Sequence, residues 1–251
     1  MESAVRMPVA VISWIGMNDI ADAKASFAEQ AVIFKRKHNW LMCWLYLGTF
    51  GSFIGYAAGF PLLIKSQFPQ VNPLHFAWMG PLVGAVVRPF GGWLADKLGG
   101  ARVTLWNFVA MMLGVVGVIS FLPHDGDGGN FTGFLGMFVL LFLTTGIGNG
   151  STFRMIPVIF MTERQRALLK NASAGAQEQA IKDGNKEAAA VLGFSAAIAA
   201  YGGFFIPKSY GTSIAMTGAP DAALWCFLVF YATCVVTTWW FYARKNAEMP
   251  C

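Results

Sequence analysis

Six apolar runs, at residues 40–64, 74–95, 103–122, 131–161, 188–215 and 219–243, organise the chain. As helices, each could cross a bilayer core of about 30 Å, which takes roughly 20 residues at 1.5 Å per residue. No two-residue alternation runs through them, so membrane helices are expected and not the strands of a barrel. A shorter apolar run at residues 7–16 is below spanning length. It is expected to be the tail of a preceding span, residues 1–17, in preference to a signal peptide, because Glu2 and Arg6 offset each other and Trp14 sits near its end. Residues 18–39 then read as a polar connector.

The polar segments between the runs divide sharply by charge. Lys24, Lys35, Arg36, Lys37, Lys97, Arg102, Arg164, Arg166, Lys170, Lys182, Lys186, Arg244 and Lys245 fall in alternate loops, whereas the intervening loops hold only Lys65. The positive-inside rule therefore places both ends of the six-span unit, residues 40–243, in the cytoplasm. On this reading residues 163–187, polar and alanine-rich, form a mobile cytoplasmic helix or loop that serves as a solvated connector, and residues 244–251 a cytoplasmic tail. PHDGDGGN, residues 123–130, is a turn by composition, and its two aspartates lack the ligand count of a calcium loop.

Composition agrees with the pattern. At 56% hydrophobic and 12% charged, the chain lies far from the soluble norm of about 25% charged residues. The net charge of +5 is spread over short loops and forms no basic patch with interleaved aromatics, so nucleic acid is not an expected partner. Cys43, Cys226, Cys234 and Cys251 show no metal-ligand spacing and read as small core residues. His38, His75 and His124 read as isolated, and no nucleophile–base–orienter set is visible. Neither catalysis, a cofactor nor a metal is expected.

Three basic residues lie inside the runs, Arg88, Arg154 and Lys208; the one acid there, Asp221, stands at the start of the last run, so none accompanies them in depth. A charge at bilayer depth is costly and reads by default as functional. Counting back from Asp96, Arg88 lies about 12 Å into its helix, close to mid-bilayer. A planar guanidinium there can offer paired donors to a planar oxyanion, which lysine cannot match. Tyr46 and Phe50 are one helical turn apart, about 9 and 15 Å below Trp40, which puts Phe50 level with Arg88. They could wall a small-anion site, with the tyrosine hydroxyl as a donor, or simply pack. Arg154 shares a helical face with Gly146 and Gly150 and is either a second cation on the anion path or a residue that pairs with the loop. Lys208, near the outward end of its run, reads as a snorkelling side chain.

GGWLADKLGGAR (residues 91–102) resembles the loop signature of the major facilitator superfamily, carried here by Gly92, Asp96, Lys97, Gly99 and Arg102. With LYLGTFGSFIGYAAGF (45–60), GIGNGSTFRMIPVIF (146–160) and GFSAAIAAYGGFFIPKSYGTS (193–213), the chain resembles the nitrate/nitrite porter family across nearly its whole length. The resemblance implies an all-α membrane fold, the C-terminal six-helix half of such a transporter. It also implies that Arg88 is one of two arginines clamping nitrate or nitrite, with Tyr46 and Phe50 lining the site. The glycine-rich nitrate signature falls on Gly193, Gly202 and Gly203, and Asn149 joins the expected binding set. Alternating access between two six-span halves is the implied mechanism. The other half, in the same or a separate chain, is an expected partner beside the anion and the bilayer. The chain is expected to be a fragment that does not transport alone. A transporter of another small anion, and a non-transporting subunit that pairs with a second half, are the alternatives.

Overall fold

A computed structural model describes Gly16 and residues 30–124, 128–168 and 173–251. The expected span remnant, most of the connector and residues 125–127 of the expected turn lie outside the described residues. Among the described residues the architecture is helical throughout. A short turn of helix at Ala31–Lys35 leads into α1 (Lys37–Tyr46), a π-helical turn (Leu47–Gly51) and α2 (Ser52–Gln67). Then come α3 (Met79–Leu98), α4 (Gly100–Phe121), α5 (Phe131–Arg166), α6 (Ala174–Ala200), α7 (Gly202–Thr217) and α8 (Asp221–Thr238), the last extended by a π-helical turn at Trp239–Ala243.

Five stretches among the described residues are long and apolar enough to cross a membrane: Lys37–Gln67, Gly100–Phe121, Phe131–Arg166, Ala174–Thr217 and Asp221–Ala243. They coincide with five of the six expected runs. Helix α3 is 20 residues long but is not one of the five, since Arg88, Asp96, Lys97 and its glycines and prolines dilute its hydropathy.

Several boundaries differ from expectation, each for a local reason. The expected loop at residues 96–102 shrinks to Gly99, whose φ of 90° lets α3 end and α4 begin within one residue. Asp96 and Lys97 therefore lie in the last turn of α3, and Arg102 in the first turn of α4. The expected connector at 163–187 is largely helical: α5 continues to Arg166, and Ser173 accepts the Ala176 N–H at 3.3 Å to cap an alanine-rich α6. Most described residues of that region are exposed, but its end is tied to the bundle. Glu187 is only 7% exposed and binds the Arg164 guanidinium at 3.0 and 2.5 Å and Arg36 at 3.2 Å, while Arg36 also reaches Glu163 at 3.2 Å.

Two glycine seams bring helices together backbone to backbone. Along the first, a Cβ placed on Gly146 would strike the Gly84 carbonyl, one on Gly150 the Arg88 carbonyl, and one on Gly91 the Ile147 carbonyl. The α3–α5 contact is the most extensive between any two helices. Along the second, Gly55 would meet the Gly202 carbonyl at 2.7 Å and Gly51 the Ala199 carbonyl at 2.9 Å, which seats α2 against the junction of α6 and α7. Small residues permit such approach where lipid offers no hydrophobic drive for association. Aromatic side chains fill the space beyond, with Phe60, Phe134, Phe138 and Phe142 in one buried cluster.

The basic loop ends gather at one end of the bundle, tied by the C-terminal tail. Lys37 Nζ donates to Glu248 at 2.6 Å, Arg166 to the Glu248 carbonyl at 2.7 Å, and the Ala101 N–H to the Cys251 carbonyl at 3.0 Å. The Lys37 hydrogen bond holds the Glu248 carboxyl below its ordinary range. His38, expected to be isolated, is buried with Nδ1 3.0 Å from the Tyr242 hydroxyl, and His124 lies 3.0 Å from Asp221 at the opposite end. Of the cysteines, Cys43 and Cys234 are buried as expected, whereas Cys226 is exposed and Cys251 belongs to the tail.

The first seam makes a direct prediction. Gly150→Ala should force α3 away from α5 and destabilise the chain by about 1–3 kcal/mol, the usual cost of overpacking. Gly136→Ala, where a Cβ meets nothing within 4 Å, should leave stability unchanged or raise it. Thermal unfolding of the detergent-solubilised variants, followed by circular dichroism, checks both.

Candidate functional site

Three helical segments converge on Arg88. Tyr46, the last residue of α1, is 2% exposed, and Phe50 follows in the π-helical turn, their ring centroids 5.3 Å apart. A π turn inside a longer helix shifts the register of the side chains that follow and often marks a functional position. Here it carries Phe50. Arg88 projects from the middle of α3, where its Nη2 donates to the Tyr46 hydroxyl at 3.4 Å. The guanidinium carbon lies 5.5 Å from the Phe50 ring centroid and 5.9 Å from that of Phe153 on α5. Both distances suit cation–π attraction.

No acid pairs with Arg88 among the described residues, and its one hydrogen bond there is the long contact to Tyr46. Of the five N–H donors a guanidinium carries, most remain available. The Tyr46 hydroxyl accepts from Arg88, so its own proton can point to a further acceptor. A half-buried cation, a phenol and two aromatic faces form a cluster whose donors suit a small, planar, singly charged oxyanion.

Hydrogen bonds hold the surrounding frame in register. Thr49, within the π turn, lies 3.1 Å from the Thr152 hydroxyl on α5, and Thr152 also donates to the Gly148 carbonyl at 2.8 Å. Thr104 of α4 and Ser151 are 2.8 Å apart. Asn149, an expected site residue, is 1% exposed and its Oδ1 has no partner. No contact joins it to Arg88. Gly202 packs on the backbone of Gly51, beside Phe50, and Gly203 on the side chain of Ile54, while Gly193 has open space where a side chain would start. Of the signature glycines only Gly202 thus meets the turn that carries Phe50.

The second interior arginine is placed differently. Arg154 Nε donates to Asp96 Oδ1 at 2.7 Å, with both side chains about half exposed. The expectation that no acid accompanies the interior cations therefore fails for Arg154, because α3 extends far enough to bring Asp96 alongside it. A Cβ at Gly92 would lie 3.6 Å from the Arg154 side chain. Lys97 sits with its Nζ 4.3 Å from the centroid of the Trp93 ring. Phe153 and the Thr49–Thr152 tie were missed by sequence reasoning, although both α5 residues lie in the quoted GNGSTF stretch. Only the packing of α5 against α3 shows which of its side chains turns toward Arg88.

No family model matches the chain. Individual proteins do. The nitrate/nitrite transporter NarU of Escherichia coli is 50% identical over 238 residues, covering 94% of this chain and 50% of that protein. NarU of Salmonella typhimurium is 51% identical over 237 residues with the same coverage, 94% and 50%. The probable nitrate/nitrite antiporter NarK2 of Thermus thermophilus is 34% identical over 246 residues, covering 96% of this chain and 50% of that protein. The chain spans about half the length of these curated relatives, which are named as transporters and not as enzymes. With such identity sustained along nearly all of its residues, the chain belongs to the nitrate/nitrite porter family.

Proposed function

We propose that the chain forms one six-span half of a nitrate/nitrite transporter of the major facilitator type, with Arg88 holding the anion. The observation that carries this reading is the Arg88 guanidinium itself, framed by Tyr46 and the rings of Phe50 and Phe153 and paired with no carboxylate among the described residues. Helix α3 supplies the sixth span, its charged and glycine-rich sequence suited to a cavity wall and not to lipid. The coverage of half of each relative supports a second half of similar size across the site, contributed in the same or another chain. Rocking of the two halves about the central anion then gives alternating access.

Each site residue has a distinct part. Arg88 offers paired N–H donors to two oxygens of the anion, Tyr46 adds its hydroxyl proton, and Phe50 and Phe153 exclude water and fix the guanidinium plane. Gly202 allows the turn that carries Phe50 to sit close to α7, Gly203 does the same for α2 at Ile54, and buried Asn149, near Phe153 in sequence, keeps an unpartnered Oδ1 as a spare polar group. Arg154 is spent on Asp96 and stays outside the anion set. The transporter lies in the inner (plasma) membrane. The end where Lys37, the Gly99 turn, Arg166 and the tail gather faces the cytoplasm, because the cations concentrate there.

Arg88→Lys, in the transporter assembled from both halves, should weaken nitrate binding about 10–100-fold, since charge-assisted paired hydrogen bonds are replaced by a point charge. Helicity should be unchanged. Titration calorimetry with nitrate checks this, and an affinity equal to that of the unaltered protein would sink the assignment. Tyr46→Phe should cost about tenfold or more, the value of one hydrogen bond to a charged acceptor. Arg154→Gln should leave nitrate affinity within about twofold while lowering the melting temperature, as expected for a partly exposed ion pair remote from the ligand. A large loss of affinity in that variant would return Arg154 to the anion path.

A further inference from the structure

The turn between α3 and α4 holds a second cationic feature, separate from Arg88. A cavity of about 480 Å³ opens there, lined by Leu94, Lys97, Leu98, Arg102, Trp106 and Ile147, among others. Its two cations lie on either side of Gly99, Lys97 ending α3 and Arg102 beginning α4. Asp96, the acid next to Lys97 in sequence, is already engaged, since it accepts from Arg154. Arg102 is exposed and has no hydrogen bond or ion pair among the described residues, and Lys97 rests on the face of Trp93. Two uncompensated cations therefore share one opening.

Above the cations the walls are apolar. Leu94 lies one helical turn from Leu98, and Trp106 one turn from Arg102, so each cation-bearing end continues into an apolar face running toward the middle of the bundle. Trp106 is 69% exposed, and the same outward face of α4 continues through Leu113 and Val116, also exposed. A charged end at the helix termini and an apolar groove rising from it match an amphiphile with an anionic head and a hydrocarbon tail.

We infer that this groove binds an anionic glycerophospholipid, its phosphate between Lys97 and Arg102 and one acyl chain along Leu94, Leu98 and Trp106. The site is distinct from the nitrate site and does not depend on which anion is transported. It rests only on the proposed placement of this end of the bundle at the cytoplasmic membrane face. Basic residues beside a membrane surface attract anionic lipid, and the aromatic wall adds the amphipathic contact typical of the interface.

Native mass spectrometry of the detergent-solubilised chain tests the site with three probes: phosphatidylglycerol, phosphatidylcholine of identical acyl chains, and inorganic phosphate. Phosphatidylglycerol should be retained over phosphatidylcholine by about fivefold or more, and Lys97→Gln and Arg102→Gln should each lower its retention about fivefold. Arg102→Lys should preserve most of it, and Lys65→Gln, at the other end of the bundle, should change nothing. Circular dichroism on each variant separates lost binding from lost folding, and the comparison of lipids on the unaltered chain stands even if a variant unfolds. Equal retention of the two lipids would overturn the inference, as would full retention by folded Lys97→Gln and Arg102→Gln variants. Displacement of the lipid by millimolar inorganic phosphate would reduce the groove to a simple anion site. Loss of the groove's lipid on addition of the other transporter half would show it to be a protein interface. None of these readouts involves nitrate, so failure here leaves the Arg88 reading standing, and failure of Arg88 leaves this one.

Discussion

The contact between α3 and α5 is the constraint on which the rest depends. Gly84, Arg88, Gly92 and Asp96 recur every four residues on α3, and Gly146, Gly150 and Arg154 do so on α5, so each set lies on one helical face. The two faces meet with backbone against backbone, Gly146 on Gly84 and Gly150 on the carbonyl of Arg88. A helix pressed this closely cannot rotate without clashing. The seam therefore fixes the direction in which the Arg88 side chain leaves α3, and it sets Arg154 beside Asp96 one step further along. A single row of small residues positions both the cation of the site and the ion pair at the helix end.

Charge is distributed along this frame in a graded way. At the end of the bundle, several cations, Lys97 and Arg102 excepted, are matched by acids or by backbone carbonyls: Arg36 and Arg164 share Glu187, Lys37 binds Glu248, and Arg166 reaches a carbonyl of the tail. Deeper in, Arg88 has only a phenol and two aromatic rings. Aromatic faces lower the cost of the charge without neutralising it. An arginine arranged in this way keeps its electrostatic attraction for a ligand, whereas a carboxylate partner would have cancelled it.

Much of the fold was legible because apolar length and loop charge are read directly by a bilayer. Five of the six runs appear as membrane-capable helices, and the level placement of Phe50 and Arg88 agrees with their 5.5 Å approach. Helix ends were less legible. Asp96, Lys97 and Arg102 look like a charged loop, yet one glycine at positive φ suffices for the turn and leaves all three in helices. Polar composition likewise left open helix or loop for the segment that runs into Glu187 and hid that residue's burial, because side-chain pairing with Arg36 and Arg164, distant in sequence, is what removes that acid from solvent.

By itself, the sequence determined that this is a membrane protein of helices, that Arg88 is a lone charge in the middle of an apolar run, and that its motifs resemble those of nitrate/nitrite porters. Those features follow from local hydropathy, helix rise and motif identity, which need no knowledge of neighbours. Only the tertiary structure decided that Arg154 is paired with Asp96, that a π-helical turn carries Phe50, and that Phe153 completes the surroundings of Arg88. Each of these depends on the register of two helices packed through glycine, and that register is a property of the contact and not of either strand of sequence alone.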